Sequence, residues 1–458
     1  MRKKALLALM LALTLMLSGC ALIVKDEAVD NATEIIRMGD KVLTKGEVKE
    51  EVENQLASTA YMYNMYGMSY DTTDASNIAA AQEQAIEALK EDLALTAKAK
   101  ELGLDVLTDE EKEEVSKAAQ DSYDYAVSYA ETNQVEDKTL EGDALTEAAK
   151  AVLTERGVTL ETYTESETKS KIDEKLREYA IKDVAVTDEE IQADYDSKVE
   201  ADKATYGENP GSYATAVNNR TTVYYAPAGV RRVKQILTKF KDEDQTAIDE
   251  ANTKVTEANT AVSAANAKIS AAQEVIDEEE ASEEAKTDAQ ADLAAAQAEL
   301  EEANKALEEA NKAVEEATAK AFENIDADTD AILAKIDEEG SDWQALMDEY
   351  NQDPGMSTMT KGYAIAAEMT GFDSAFVDAA LALEKVGDHS GKVKGTSYGY
   401  YIIRYDSDEP EGPIALDEVK ETISSALLDS KQDEAYDAAV EKWVEEANIK
   451  VDTNALKD

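Results

Sequence analysis

Basic residues are scarce in this chain. It carries 46 Lys and Arg against 100 Asp and Glu, a formal net charge of -54. Gripping a phosphate backbone takes clustered cations, so nucleic acid is not expected as a partner. The acidic excess favours solubility and an attraction for basic unfolded chains or divalent cations. Histidine and cysteine occur once each. A single thiol rules out a disulfide within the chain, and no glycine-rich phosphate loop is present. Past the first twenty residues, no run is apolar enough to span a membrane. Nothing calls for a metal, a nucleotide or a covalent intermediate, and no cofactor is expected. At 458 residues the chain has room for two or three domains.

The lone cysteine has a telling position. Arg2, Lys3 and Lys4 precede the apolar run Ala5–Leu17, which is short for a spanning helix and leads into LSGC, ending at Cys20. Charge, short apolar run, small residues and Cys arrive in the order of the bacterial lipobox, which this segment resembles. The resemblance implies a signal peptide over residues 1–19, lipidation of Cys20 and attachment to the outer face of the cell membrane. An ordinary signal peptide with an incidental Cys is the alternative. Residues 20–33 read as a polar tether.

The stretch IIRMGDKVLTKGEVKEEVENQL predicts a strand pair running into a helix, with Gly39–Asp40 as the turn and Thr44 as N-cap. Helical spacing follows, stopped at Gly103 and restarted by a capping box at Thr108–Glu111. The same device recurs in VAVTDEEIQADY, Val184–Tyr195. Between these, Tyr61–Tyr70 packs four Tyr and three Met into ten residues. Met is adaptable and Tyr has an apolar body with a polar tip. Two readings stay open: a surface for varied apolar partners, or a helix end packed on its own core.

From Ala247 to Phe322 the pattern is heptad. Ile248, Val255, Val262, Ile269 and Ile276 recur every seventh residue, with Ala three after each of the first four; Leu293, Leu300, Leu307 and Val314 form a second series. Asp277–Lys286 between them lacks seam residues. Pairing Ile276 with Ala289, Ile269 with Ala296 and Val262 with Ala303 keeps one constant sum of residue numbers. Each layer then sets one large residue against one Ala, which predicts an antiparallel helical hairpin with arms of roughly 45–50 Å. One continuous helix dimerising with another chain is the alternative. Asp326, Asp328 and Asp330 lack the Gly and Glu of a calcium loop and predict the N-terminus of a new helix.

With the hairpin excised, the flanking pieces join into a unit of ~100 residues, an ordinary domain size. These pieces are VRRVKQIL, WQALMDEYNQD (Trp343–Asp353), TKGYAIA, FVDAALALEKVGDHSGKV (Phe376–Val393) and GYYII (Gly399–Ile403). In this order they resemble the parvulin family of peptidyl-prolyl cis/trans isomerases. With the lipobox, KELGLDVLTDEE and the C-terminal ALDEVKETISSALL, the chain looks like the extracytoplasmic foldase lipoproteins of PrsA type and, more distantly, SurA-type chaperones.

The resemblance implies an α+β fold: a mainly helical chaperone domain built from N- and C-terminal segments, with an inserted parvulin-like α/β domain that itself carries a long antiparallel helical (coiled-coil) hairpin. The expected divisions are 34–225 for the N-terminal helical chaperone region, 226–407 for the isomerase domain interrupted by 243–322, and 408–458 for C-terminal helices packing on the N-terminal region. Phe376 matches the aromatic floor of the family's proline pocket, and Phe372 or Met369 its Met. Tyr363 falls where a Leu is usual, and Asp353 at the acidic or thiol position facing the substrate carbonyl. Gln235 and Tyr401 replace the family's two central histidines, and a Gln–Tyr pair would keep that core polar. The chain's own histidine, His389, is expected in an exposed turn, away from these positions.

The implied partners are unfolded or folding exported polypeptides, together with the membrane through Cys20. Three functions follow: a prolyl isomerase and foldase, a non-catalytic chaperone on the same scaffold, or a structural or adhesion lipoprotein whose hairpin is the working part.

Overall fold

A computed structural model describes residues 27–456. The expected signal peptide and the expected lipidation site, Cys20, lie outside the described residues. The protein is mainly helical with few strands, and it divides into two compact units. One joins the N-terminal segment up to Val186 with Ser425–Asp458; the other is Thr187–Ser424.

The first unit opens with α1 (Glu27–Asn31), β1 (Glu34–Met38), β2 (Lys41–Thr44), α2 (Lys45–Met65), α3 (Ala75–Leu102), α4 (Asp109–Asn133), α5 (Asp143–Glu155) and α6 (Leu160–Ile181). Thr44 and Thr108 head α2 and α4 with complete capping boxes, their N3 partners being Glu47 and Glu111. Ile35, Ile36, Val48, Val52 and Leu56 meet Ala81, Ala85 and Ile86 in one core. Trp443 meets Leu95, Ala99 and Leu176 in another. The C-terminal segment also adds a strand, Lys450–Val451, antiparallel to β1.

The second unit contains α7 (Asp188–Tyr206), α8 (Pro210–Asn218), β3 (Tyr225–Ala226), β4 (Arg231–Lys239), α9 (Asp242–Asp277), α10 (Glu283–Ile336), α11 (Trp343–Tyr350), β5 (Tyr363–Ile365), α12 (Ser374–Ala382), β6 (Val393–Lys394), β7 (Gly399–Asp408) and β8 (Gly412–Pro413). Helix α13 (Leu416–Glu446) begins here and ends in the first unit. Its sheet has the order β5-β4-β7-β6, with every pairing antiparallel.

The unit boundaries thus fall outside the expected 226 and 407: on the N-terminal side α8 packs with this sheet and α7 packs on β3. Tyr213 and Ala214 share a core with Ala226, Val230, Ala364 and Ala366. The Asn218 amide also donates to the Ala364 carbonyl and accepts from its N–H, at 2.8 and 2.9 Å. That is how a neighbouring strand would pair.

Period-two alternation splits the sheet's side chains. Val233, Leu237, Tyr401 and Ile403 face α12, while Ile236 and Ile402 face α10 and α11 through Ile332, Ile336, Trp343 and Met347. Gly362 has φ +82 and a Cβ there would lie 2.6 Å from the Val233 carbonyl oxygen, so only glycine lets β5 approach β4.

Helices α9 and α10 form the hairpin, turning at residues 278–282. Ala251, Ala258, Ala265 and Ala272 on one arm and Ala289, Ala296, Ala303 and Ala310 on the other are buried, and Lys268 reaches Glu299 across the arms at 2.7 Å. One expectation fails here. No new helix starts at Asp326: α10 runs unbroken from the turn into the domain core, where Phe322, Ile325, Ile332 and Ile336 are buried. Asp326 and Asp330, one turn apart, instead share Lys392 at 2.7 and 2.6 Å, and Asp326 accepts from the Tyr400 hydroxyl. At the hairpin root, Phe240, Phe322 and Tyr400 stack edge to face with centroids 4.8 Å apart.

Removal of the outer hairpin, with a short glycine linker joining residues 255 and 311, should leave the root and the thermal unfolding of the remaining chain intact. Phe322→Ala should cost about 3–5 kcal/mol by emptying the root. Equal melting temperatures for Phe322→Ala and the parent would contradict this packing.

Candidate functional site

The residues lining the site come from five separated elements of the second unit. Strand β4 supplies Gln235 and Leu237, which lie opposite Ile403 and Tyr401 of β7. The segment after α11 supplies Asp353, β5 supplies Tyr363, and α12 with the loop before it supplies Phe376 and Phe372. Together they surround a cleft of about 180 Å³, also lined by Gly371, Asp373 and Tyr398. Drug-sized ligands take roughly 300–1,000 Å³, so this cleft suits a single small ring. Met369 is not among its lining residues and packs instead beneath α12 and α8. Of the two candidates for that position, Phe372 is the one at the cleft.

Asp353 is the most heavily bonded group. Its Oδ2 accepts from Gln235 Nε2 at 2.7 Å and from the Tyr363 hydroxyl at 2.8 Å, and its Oδ1 accepts from the Gly355 N–H at 2.8 Å. Asn351 orients the approach by accepting from the N–H groups of Asp353 and Leu237. An ionised carboxylate only accepts hydrogen bonds, so it fixes the Gln235 amide with its nitrogen toward Asp353. Gln235 Oε1 is then buried with no partner among the described residues. Such an orphaned acceptor normally costs about 1–3 kcal/mol.

The apolar side is aromatic. Phe376 lies 5.2 Å from Tyr401 and 5.8 Å from Phe372, and Tyr363 lies 5.0 Å from Phe372. Tyr401 has space for its ring because residue 395 is glycine; a Cβ there would come within 2.5 Å of the ring.

Two expectations change. No hydrogen bond joins Gln235 to Tyr401: the polar core is Gln235–Asp353–Tyr363, and Tyr401 joins the aromatic wall. His389 is half-buried rather than an exposed turn residue. Its ring stacks on Trp343 at 6.4 Å and its Nε2 lies 3.2 Å from Asp337.

The sequence reading missed Leu237, Asp373 and Tyr398. Leu237 was within reach, since period two from Gln235 puts it on the same face. Asp373 is signalled only as the N-cap of α12, where it accepts from Ala375 and, at Oδ2, from the Thr396 N–H at 2.6 Å.

Burial first, then the charge and hydrogen bond of Asp353, push the Tyr363 phenol well above its ordinary value. Burial likewise raises Tyr401, with Asp373 the strongest neighbouring charge. Unfolded tyrosine ionises near pH ~10. Stability from these neutral phenols is therefore whole below that pH and is lost as pH rises toward the folded values. Melting temperatures taken upward from about pH 9 should fall, and Tyr363→Phe with Tyr401→Phe should flatten the fall. An unchanged slope in the double variant would remove both phenols from the account.

No family model matches the chain. Curated relatives do. It is 36% identical over 112 residues to foldase protein PrsA of Clostridium botulinum (strain Hall), covering 24% of this chain and 32% of the relative. It is 33% identical over 130 residues to foldase protein PrsA of Geobacillus kaustophilus, covering 28% and 43%. The chain thus spans about a third to two-fifths of the length of these relatives. Among solved structures, foldase protein PrsA from Streptococcus pneumoniae aligns over 93% of this chain and 97% of its own, at 14% identity and TM-score 0.22. A SurA-like chaperone of Campylobacter jejuni aligns over 92% and 100%, at 14% identity and TM-score 0.22. Superpositions that loose carry no inference, so the likeness rests on the sequence matches: the chain is PrsA-like, similar to the foldase proteins PrsA over roughly a quarter of its length.

Proposed function

We propose that the chain is a membrane-anchored extracytoplasmic foldase that assists exported polypeptides by cis/trans isomerisation of X–Pro bonds in the cleft around Asp353. The observation that carries this is a small aromatic slot with one carboxylate pinned at its edge. The PrsA-like sequence supports the same reading.

The chemistry is that of rotation about a partial double bond. The barrier is about 18–20 kcal/mol, and uncatalysed exchange takes tens to hundreds of seconds. At the top of the barrier the amide is twisted and C–N resonance is lost. The carbonyl oxygen then carries less negative charge than in the planar amide. A catalyst must favour that form over the planar one. Phe376, Phe372 and Tyr401 supply an apolar seat for the proline ring. A carboxylate facing the substrate carbonyl penalises the planar form, whose oxygen is more negative. Gln235 and Tyr363 hold the carboxylate in place, so it needs no reorganisation during the rotation.

A second reading has its own observation. Gln235 and Tyr401 stand where the parvulin pattern keeps histidines, and they do not bond to each other. This favours a scaffold that holds unfolded clients without catalysis.

Proline-limited refolding and peptide isomerisation separate the two. The catalytic reading expects acceleration by the parent chain and a loss on the order of tenfold or more for Asp353→Ala. No acceleration by the parent, alongside suppressed client aggregation, would replace it with the holding function. Equal rates for parent and variant would remove Asp353 from the site. For the anchor, Cys20→Ser should shift the protein from the membrane fraction to the medium; retention in the membrane would refute lipidation at Cys20.

A further inference from the structure

The end of α2 has no core to pack on. Val48, Val52 and Leu56 bury the first half of the helix, and beyond Leu56 none of its residues is buried. Tyr61 and Met65 are each 66% exposed and Tyr66 is 73% exposed, with Met62, Tyr63 and Met68 also on the surface. The end is nonetheless well formed. The Tyr66 and Met68 N–H groups both bond to the Tyr63 carbonyl, Gly67 turns the chain at φ +70, and Tyr63 stacks on Tyr70 at 5.0 Å. The patch is an ordered, exposed knob rather than a helix end packed on its own core.

Its electrostatic setting is uniform. In a chain that is 32% charged, Leu56–Tyr70 holds no charged residue. Between Lys49 and Lys90 every charged residue is acidic. A second copy of a chain with net charge -54 is repelled, and so is an anionic lipid surface. The complementary ligand is apolar and cationic. Met side chains repack around varied shapes, and Tyr offers large contact area with a polar tip.

We propose that this knob is a docking surface for extended cationic, apolar segments of unfolded polypeptide, separate from the Asp353 cleft. This rests on the foldase reading for its partner class but not on catalysis. The probe is therefore a labelled, unstructured peptide rich in Lys, Leu and Tyr and lacking proline, titrated into the full chain by fluorescence anisotropy. Tyr61→Ser/Met65→Ser/Tyr66→Ser should weaken binding about tenfold or more while preserving the melting temperature, since these side chains are exposed. Replacing each Lys of the peptide by Glu should abolish binding, and added salt should weaken it. Isomerisation of a short proline peptide by the same variant should be unchanged. A silent isomerase assay with intact peptide binding would thus fail the catalytic reading alone. The proposal is overturned if the variant binds as tightly as the parent or if the Glu peptide binds equally well. It is also overturned if the substitutions abolish binding to phosphatidylglycerol vesicles or self-association instead.

Discussion

Antiparallel pairing of Arg231–Lys239 with Gly399–Asp408 is the interaction on which the second unit depends. It joins residues 160 to 177 positions apart, sets Leu237 against Tyr401, and gives each side of the sheet its own set of side chains. A slip of one residue would turn Tyr401 and Ile403 away from α12 and bring Tyr400 and Ile402 in their place. Long closures are entropically costly, though the cost grows only slowly with length. The hairpin reduces the cost further: once its arms pair, the ends of the insertion lie side by side, and the sheet closes around a folded insertion.

Phenylalanine is used sparingly, and its four positions are instructive. Phe240 and Phe322 lie at the hairpin root; Phe372 and Phe376 lie at the cleft. The neighbouring tyrosines of β7 divide the same way. Tyr400 packs at the root and bonds to Asp326, while Tyr401 lines the cleft one residue later on the opposite face. Root and cleft are therefore back to back across one strand, each with its own aromatic cluster.

Much of this was legible in the sequence because it is local or periodic. The capping boxes, the β4 and β7 strands and the Ala-lined seam follow from spacing alone. Other features were hidden because they are long-range. The helical character of α8 does not reveal that it packs on a sheet edge through Asn218 and Tyr213. The alternate aspartates at 326, 328 and 330 look like a helix start, yet the buried stripe Phe322, Ile325, Thr329, Ile332 carries the helix straight through them. In the cleft, residue types pointed to Asp353 and Phe376. The bond from Tyr363 to Asp353 spans ten residues through a turn and had no periodic signature. The Gln235–Tyr401 pairing failed because side chains on adjacent strands share a face without sharing a bond.

The continuity of α10 constrains how the arm can vary. One helix serves as the outer arm, the hairpin root and a wall of the sheet's second face, so its rotational phase is common to all three. Adding a single residue in the arm would rotate everything beyond it by about 100° relative to the core. Only steps of seven residues, taken in both arms together, keep the alanine seam closed and the root in phase. The reach of the arm is therefore quantised, in increments of about 10 Å. Relatives that kept this root and changed the arm's length would be expected to differ by matched heptads.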